Sequence, residues 1–103
     1  MRMHLKEWRK LLRSLRKNFP VEGWVNVRRV GMARDCGVTR LNGVDYCIRI
    51  NSRQPYQGQV DTLLHEWAHV VAIDRAFQHD RMWGELYSEI YESWRKDFAT
   101  HLD

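Results

Sequence analysis

Apolar residues near the start of the chain recur at helical spacing. Between residues 3 and 19 they stand three or four positions apart, at Leu5, Trp8, Leu12, Leu15 and Phe19. This spacing predicts one apolar stripe on an α-helix, with most lysines and arginines of the segment outside the stripe. Asn18 and Pro20 are expected to end the helix, because a proline disfavours helical angles in the residue before it.

Three extended segments follow this helix. Residues 24–30 alternate valines with polar neighbours, and residues 36–41 and 44–51 stand on either side of Asn42-Gly43. That dipeptide tolerates the positive φ angles of a type I′ turn, so the pattern predicts a β-hairpin with a two-residue loop. Such a loop would place Arg40 opposite Asp45. One face of the second hairpin strand would then carry Val44, Tyr46, Ile48 and Ile50.

The next helix is apolar around most of its circumference. It is expected from about residue 59 to about residue 77, and its apolar positions are Val60, Leu63, Leu64, Trp67, Ala68, Val70, Val71 and Ile73. A helix of this kind is buried on several sides. After a short break at residues 78–81, a last amphipathic helix is predicted from Trp83, Leu86, Tyr87, Ile90, Tyr91, Trp94 and Phe98.

The order of these segments predicts one α+β domain over residues 1–103. We expect an N-terminal helix, a three-stranded antiparallel sheet with a hairpin, a buried helix and a C-terminal amphipathic helix. The 103 residues include five Trp, four Tyr and three Phe, which suffice for one modest core. No apolar run reaches the about 20 residues of a membrane span, and charges interrupt the first leucines as they would not in a secretory signal. A soluble, cytoplasmic protein without membrane partners is therefore expected.

Charge is unevenly distributed along the chain. Residues 1–53 contain 13 lysines and arginines against 4 acidic residues, a net charge of +9, whereas residues 54–103 carry 4 against 9, a net charge of −5. The basic half is therefore the part expected to approach a nucleic acid, since neutralising phosphates releases counterions. The alternative is a solvated basic face. Cys36 and Cys47 form no CxxC pair and are expected to be reduced, with a hairpin disulfide as the alternative.

The stretch LLHEWAHVV, residues 63–71, places ionisable side chains in an otherwise apolar run. Successive helical residues are about 100° apart, so His65 and His69 share a face one turn apart and can converge on one ion. Imidazole nitrogens suit Zn²⁺, and Glu66 can serve as general base. This HExxH spacing predicts a zinc-dependent peptidase. Two core histidines satisfied by hydrogen bonds are the alternative interpretation.

Catalytic zinc usually has three protein ligands, so one more is expected. His79 is the first candidate, because a histidine in the break after the helix can fold back over the metal. The glutamates of the last helix, Glu85, Glu89 and Glu92, are the alternatives. The metzincin pattern HExxHxxGxxH is excluded, because Ala72 replaces its glycine and Arg75 its third histidine.

These motifs make the sequence similar to the SprT-like zinc metallopeptidases, which include the Spartan DNA-protein crosslink proteases. The resemblance rests on LLHEWAHVV, on the IRIN that ends the preceding strand, and on His79 followed four residues later by Trp83. It implies a minimal zincin-like core, zinc ligands at His65, His69 and His79, catalytic acid-base action by Glu66, and Trp83 beneath the site. Asp80 departs from the family's glycine, and no C-terminal Cys-rich zinc ribbon is present. A bare core of this length would suit a phage protein.

A zincin binds its peptide substrate along an edge strand, and residues 44–51 are expected to offer that edge. Tyr87, Tyr91 or an arginine are weak candidates for stabilising the oxyanion, and core packing of an aromatic stripe is the better explanation for each of them. Two other functions stay open from the sequence. One is a non-catalytic module in which zinc is structural and the first helix, through Arg9, Arg13 and Arg16, binds nucleic acid. The other is an ImmA/IrrE-like regulatory protease, whose third ligand comes from a different position.

Overall fold

Helices and strands follow one another in the predicted order. The computed structural model describes residues 4–76 and 80–99. Its elements are α1 (Leu5–Asn18), β1 (Val25–Val30), β2 (Gly37–Asn42), β3 (Asp45–Asn51), α2 (Tyr56–Asp74), α3 (Asp80–Trp94) and a short π-helical turn (Arg95–Ala99). The α+β class is therefore confirmed. Within the described ranges, no helix combines the length and apolar character that crossing a membrane requires.

The sheet is mixed, and β3 is its central strand. β1 pairs with β3 in parallel, and β2 pairs with β3 in antiparallel orientation. The prediction of an all-antiparallel sheet was wrong, as was the prediction that residues 44–51 form an edge. The apolar face of β3 explains its place, because Tyr46, Ile48 and Ile50 are buried and need cover from both sides. The alternation of apolar and polar residues along a strand indicates which of its faces is buried. It does not indicate whether the neighbouring strand runs parallel or antiparallel.

A buried asparagine fixes the loop that carries the chain from β1 to β2. The side chain of Asn51 donates to the carbonyl oxygens of Met32 and Asp35 and accepts from the backbone N–H of Met32. The backbone N–H of Asn51 also donates to the carbonyl oxygen of Cys36, at 2.8 Å. These bonds hold residues 31–36 across the end of β3, so that β1 and β2 lie on opposite sides of it.

The hairpin register differs from the predicted one by one residue on each strand. Asn42 pairs with Asp45, and Arg40 pairs with Cys47 instead of Asp45. The two loop residues are therefore Gly43 and Val44, and only Gly43 has a positive φ, of 66°. Type II′ turns need a positive φ at the first loop position alone, where glycine carries no Cβ penalty. This geometry leaves Val44 exposed in the turn and off the predicted apolar face.

One apolar core fills the space between the sheet and the helices. The inner face of the sheet contributes Val25, Tyr46, Ile48 and Ile50, and α1 contributes Trp8, Leu11 and Leu15. Leu11 takes a core position that the predicted stripe gave to Leu12, which is only partly buried. From α2, the fully buried Trp67 also donates its indole N–H to the carbonyl oxygen of Phe19, at 3.0 Å. This bond ties α2 to the end of α1.

Helix α2 begins and ends three residues earlier than predicted, at Tyr56 and Asp74. Gln59, predicted as its start, is buried inside its first turns, where its side-chain amide donates to the carbonyl oxygens of Ser52 and Gln54. The polar residues before Gln59 thus belong to the helix because its first turn faces solvent on one side. The shift leaves the HExxH residues in the middle of α2, where the backbone is most regular.

Candidate metal centre

The HExxH segment lies on the part of α2 that faces both the sheet and α3. Its apolar neighbours Leu64, Trp67 and Ala68 have no exposed surface, and they anchor the helix in the core. His65 and His69 are half-buried, whereas Glu66 is only 8% exposed. The apolar positions that bury α2 therefore also fix the direction in which its histidines point.

The two imidazoles converge as the helical spacing predicts. The Nε2 atoms of His65 and His69 are 3.1 Å apart. One ligand atom from each of His65, Glu66 and His69 can be chosen so that all three lie within 4.8 Å of one another. Two nitrogens bound to one zinc ion at about 2.0–2.1 Å and a tetrahedral angle would be about 3.3 Å apart. The donor set and its spacing therefore fit a zinc ion.

Two aromatic rings of α3 pack against the imidazoles. The indole of Trp83 stacks on His69, with ring centroids 4.9 Å apart and planes inclined by 23°. The same indole meets His65 edge-on at 5.1 Å, and the ring of Tyr87 stands perpendicular to His65 at 5.5 Å. These contacts restrict both imidazoles to the rotamers that bring their Nε2 atoms together. The Nε1–H of Trp83 is buried without a hydrogen-bond partner among the described residues.

Burial changes the proton affinity of the second histidine. Desolvation lowers the pKa of His69 below its ordinary value, and the neighbouring His65 lowers it further, whereas Glu66 opposes the shift. The neutral imidazole is therefore favoured at neutral pH. That form has the free lone pair which a metal ion requires.

A cleft of about 400 Å³ opens beside His65 and Glu66. Its walls are the loop before β2, the start of β2, one face of α2 and Tyr87. The lining residues are Asp35, Cys36, Gly37, Asp61, Thr62, His65, Glu66 and Tyr87. Edge strand β2, and not β3 as predicted, thus flanks the site.

Gly37 allows the edge strand to approach α2 this closely. A Cβ at this position would lie 2.5 Å from Cγ2 of Thr62 and 3.4 Å from Cγ of Glu66. Side-chain atoms do not tolerate the shorter of these distances without movement. Nothing in the local sequence pattern marked Gly37 as part of the site. Asp61 could have been found, because it stands four residues before His65 on the same helical face.

The structure does not bring the glutamates of the last helix to the histidines. Glu85 is exposed and pairs with Arg81 at 3.3 Å, and Glu89 is also exposed. Glu92 pairs with Arg95 at 2.9 Å. Across the described ranges, no further His, Cys, Asp or Glu joins the group on α2. Among the described residues the structure therefore gives no support to a glutamate as third ligand, and His79 lies outside the described residues.

The candidate residues for stabilising an oxyanion are separated by the structure. Tyr87 lines the cleft, but Tyr91 is 40% exposed and packs against Trp94 at 5.4 Å. Burial raises the pKa of Tyr87, and the nearby charges of Asp61 and Tyr91 raise it further. Its hydroxyl therefore stays protonated at neutral pH and can donate a hydrogen bond.

Comparisons with protein-family models, with curated proteins and with solved structures gave no match for this chain. The resemblance to SprT-like metallopeptidases thus rests on the sequence motifs and remains a prediction.

Proposed function

We propose that this chain is a zinc-dependent endopeptidase. In this proposal His65 and His69 bind the metal through Nε2, His79 completes the ligand set, and Glu66 is the catalytic acid-base. The observation that carries the proposal is the 3.1 Å approach of the two imidazole nitrogens beside a buried glutamate, at the wall of an open cleft. A core pair of histidines would need neither the glutamate nor the cleft.

Zinc, when bound, supplies Lewis acidity that polarises a substrate carbonyl and acidifies water. The remaining chemistry belongs to the protein. Glu66 takes a proton from the attacking water while the oxygen of that water bonds to the carbonyl carbon. When the C–N bond then breaks, Glu66 passes the proton to the amine that leaves. Tyr87 donates a hydrogen bond to the oxygen on which negative charge develops. Trp83 holds the imidazoles in place.

An extended peptide is the substrate class that suits the cleft. β2 pairs with β3 on one side only, and its first residue, Gly37, lines the cleft with Glu66. The free backbone edge of β2 can therefore receive a peptide as a further strand. Such an arrangement would bring a peptide carbonyl next to Glu66. We also propose a cytoplasmic location, which the free thiols of Cys36 and Cys47 support.

Glu66→Gln tests the proposed chemistry. The substitution keeps the size of the side chain but removes the proton acceptor, so cleavage of an unfolded protein substrate should fall by about 10²- to 10⁴-fold. Zinc content should not change. Glu89→Gln is the matched control, because Glu89 is exposed on α3, and it should cleave like the parent.

Two results would contradict the proposal. Equal cleavage by the parent and Glu66→Gln would exclude Glu66 as the acid-base. A parent that binds zinc but cleaves no peptide would favour the second candidate, a non-catalytic module with structural zinc. The contact of Trp83 with both imidazoles favours that candidate, because structural sites are closed to solvent.

A further inference from the structure

Within residues 4–76 and 80–99, the helices pack against one face of the sheet and leave the other, outer face uncovered. All the buried strand side chains that form the core belong to the opposite, inner face. Alternation along the strands and their register assign the outer side chains. They are Asn26, Arg28 and Val30 of β1, Val38, Arg40 and Asn42 of β2, and Asp45, Cys47, Arg49 and Asn51 of β3. Most of these residues are exposed.

Three arginines lie across this outer face in a diagonal line. Arg28 is the register partner of Arg49, so their backbones are about one strand spacing apart, about 4.8 Å. Arg40 is the register partner of Cys47, two residues from Arg49, which makes the two arginines diagonal neighbours at about 7–8 Å. The line therefore crosses all three strands.

Folding does not explain this arrangement. Like charges placed side by side on a sheet are destabilising, and within residues 4–76 and 80–99 none of the three guanidinium groups makes an ion pair. The acid on the same face, Asp45, accepts a hydrogen bond from the backbone N–H of Trp24 at 2.9 Å. An anion bound on the outer face would relieve the repulsion between Arg28 and Arg49.

Arg16, one of the three α1 arginines that the sequence suggested for nucleic-acid binding, has a different role. Arg16 lies over the ring of Trp24 at 4.2 Å and donates to the carbonyl oxygen of Val25 at 2.9 Å. The guanidinium of Arg16 therefore links α1 to the start of β1 within the fold. Arg9 and Arg13 are exposed on α1 and provide an internal control for charge that lies away from the sheet.

We propose that the outer face of the sheet binds the phosphate backbone of duplex DNA through Arg28, Arg40 and Arg49. Arginine forms bidentate hydrogen bonds with phosphate, and a duplex presents one phosphate charge per about 1.7 Å of its axis. The outer side chains of the three strands include no aromatic ring on which single-stranded bases could stack. They also include no apolar side chain larger than valine that could insert into a lipid surface.

The test compares two triple variants of the full chain that lose the same charge. In Arg28→Gln/Arg40→Gln/Arg49→Gln the outer face is neutralised, and in Arg9→Gln/Arg13→Gln/Lys17→Gln the exposed side of α1 is neutralised. Binding to a labelled 20-base-pair duplex is measured by fluorescence anisotropy between about 50 and about 200 mM salt. Three phosphate contacts would give a slope of log K against log salt of about −2.7, which is about 40-fold weaker binding over this range.

We expect the outer-face variant to lose this salt dependence and most of its affinity, while the α1 variant retains both. Replacing the same three arginines by lysine should restore part of the affinity, because the charge returns without the bidentate geometry. Glu66→Gln should bind the duplex like the parent, so this surface can be tested independently of the proposed peptidase.

Arg49→Gln alone should weaken duplex binding and raise the midpoint of thermal unfolding, because it removes the repulsion with Arg28. A merely structural arginine would lower that midpoint when replaced. Four results would overturn the proposal: no duplex binding by the parent, equal losses in both triple variants, tighter binding of a single strand than of the duplex, and binding of anionic phosphatidylserine vesicles without binding of the duplex.

Discussion

Arg28 and Arg29 are consecutive residues of β1, yet they lie on opposite faces of the sheet. The guanidinium of Arg29 lies over the ring of Trp8 at 4.5 Å and donates to Oε1 of Gln59 at 3.4 Å. Arg28 is exposed beside Arg49, with which it shares a register position. The same residue type therefore joins β1 to two helices on one face and leaves a free positive charge on the other. Charge totals along the sequence do not distinguish these roles.

This difference extends over the whole sheet. The inner face and the helices on it contain the core and the candidate metal centre, where close packing fixes each functional side chain. The outer face contains side chains whose replacement should hardly affect folding. Substitutions on the inner side are therefore expected to change stability, and those on the outer side to change binding.

The largest effect is expected where β2 meets α2. Gly37→Ala should destabilise the protein by about 1–3 kcal/mol, because its Cβ would lie 2.5 Å from Cγ2 of Thr62. It should also reduce the proposed peptide cleavage, since the same Cβ would lie 3.4 Å from Cγ of Glu66. The measurement is urea unfolding followed by circular dichroism.

Gly84→Ala is the matched control for this substitution. Gly84 lies inside α3, and a Cβ added there would meet no described atom within 4 Å beyond the backbone of its own helix. Alanine there should stabilise the protein by about 0.5–1 kcal/mol through better helix propensity. A Gly37→Ala protein as stable as the parent would show that the inner side is not closely packed at the cleft.

The two consecutive arginines give the next largest effect. Arg29→Gln should lower the free energy of unfolding by about 1–2 kcal/mol, through loss of the cation–π contact with Trp8 and of the bond to Gln59. Arg28→Gln should change it by no more than about 0.5 kcal/mol. Chemical unfolding of both variants checks this difference. Equal destabilisation by the two substitutions would remove the distinction between the faces.

The smallest effect concerns ionisation on the inner side. Burial raises the pKa of Tyr56 above its ordinary value of 10, with Glu7 adding to the shift and Arg29 opposing it, and His4 stacks on the ring. Because the pKa of Tyr56 is higher in the folded than in the unfolded state, its contribution to stability is fully present below the unfolded-state value of 10. This contribution is lost as the pH rises through the folded-state pKa. Tyr56→Phe removes the titrating group. Between about pH 8 and about pH 10.5, the parent should therefore lose more stability than the variant. The measurement is urea unfolding of both proteins at the two pH values. Equal losses of stability in the parent and in Tyr56→Phe would contradict the prediction.

Local features of the structure could be predicted from the sequence. The apolar periods predicted three helices in the right order, and the i, i+4 spacing predicted the convergence of His65 and His69. Both depend on the geometry of a single helix, which a few neighbouring residues determine. The stacking of Trp83 on His69 agrees with the place that the family resemblance implied for this ring.

Features that depend on how separate segments meet could not be predicted. The parallel pairing of β1 with β3 depends on the path of residues 31–36, which hydrogen bonds of the distant Asn51 fix. The hairpin register depends on whether one or two loop residues adopt a positive φ, and the sequence Asn-Gly permitted both. Which strand flanks the cleft depends on the order of strands in the sheet. The sequence pattern does not give that order, and the prediction therefore placed the edge on β3 instead of β2.

The zinc content of the purified protein shows whether His65, His69 and His79 hold a metal ion. Elemental analysis of the parent, His69→Ala, His79→Ala and Glu89→Ala, each prepared with equal zinc supply, separates the ligands from a solvent-exposed acid. If the histidines bind the metal, the parent and Glu89→Ala should each contain about one zinc ion per chain, and both histidine variants should lose it. A parent without zinc, or a His69→Ala protein with as much zinc as the parent, would show that this site does not bind zinc.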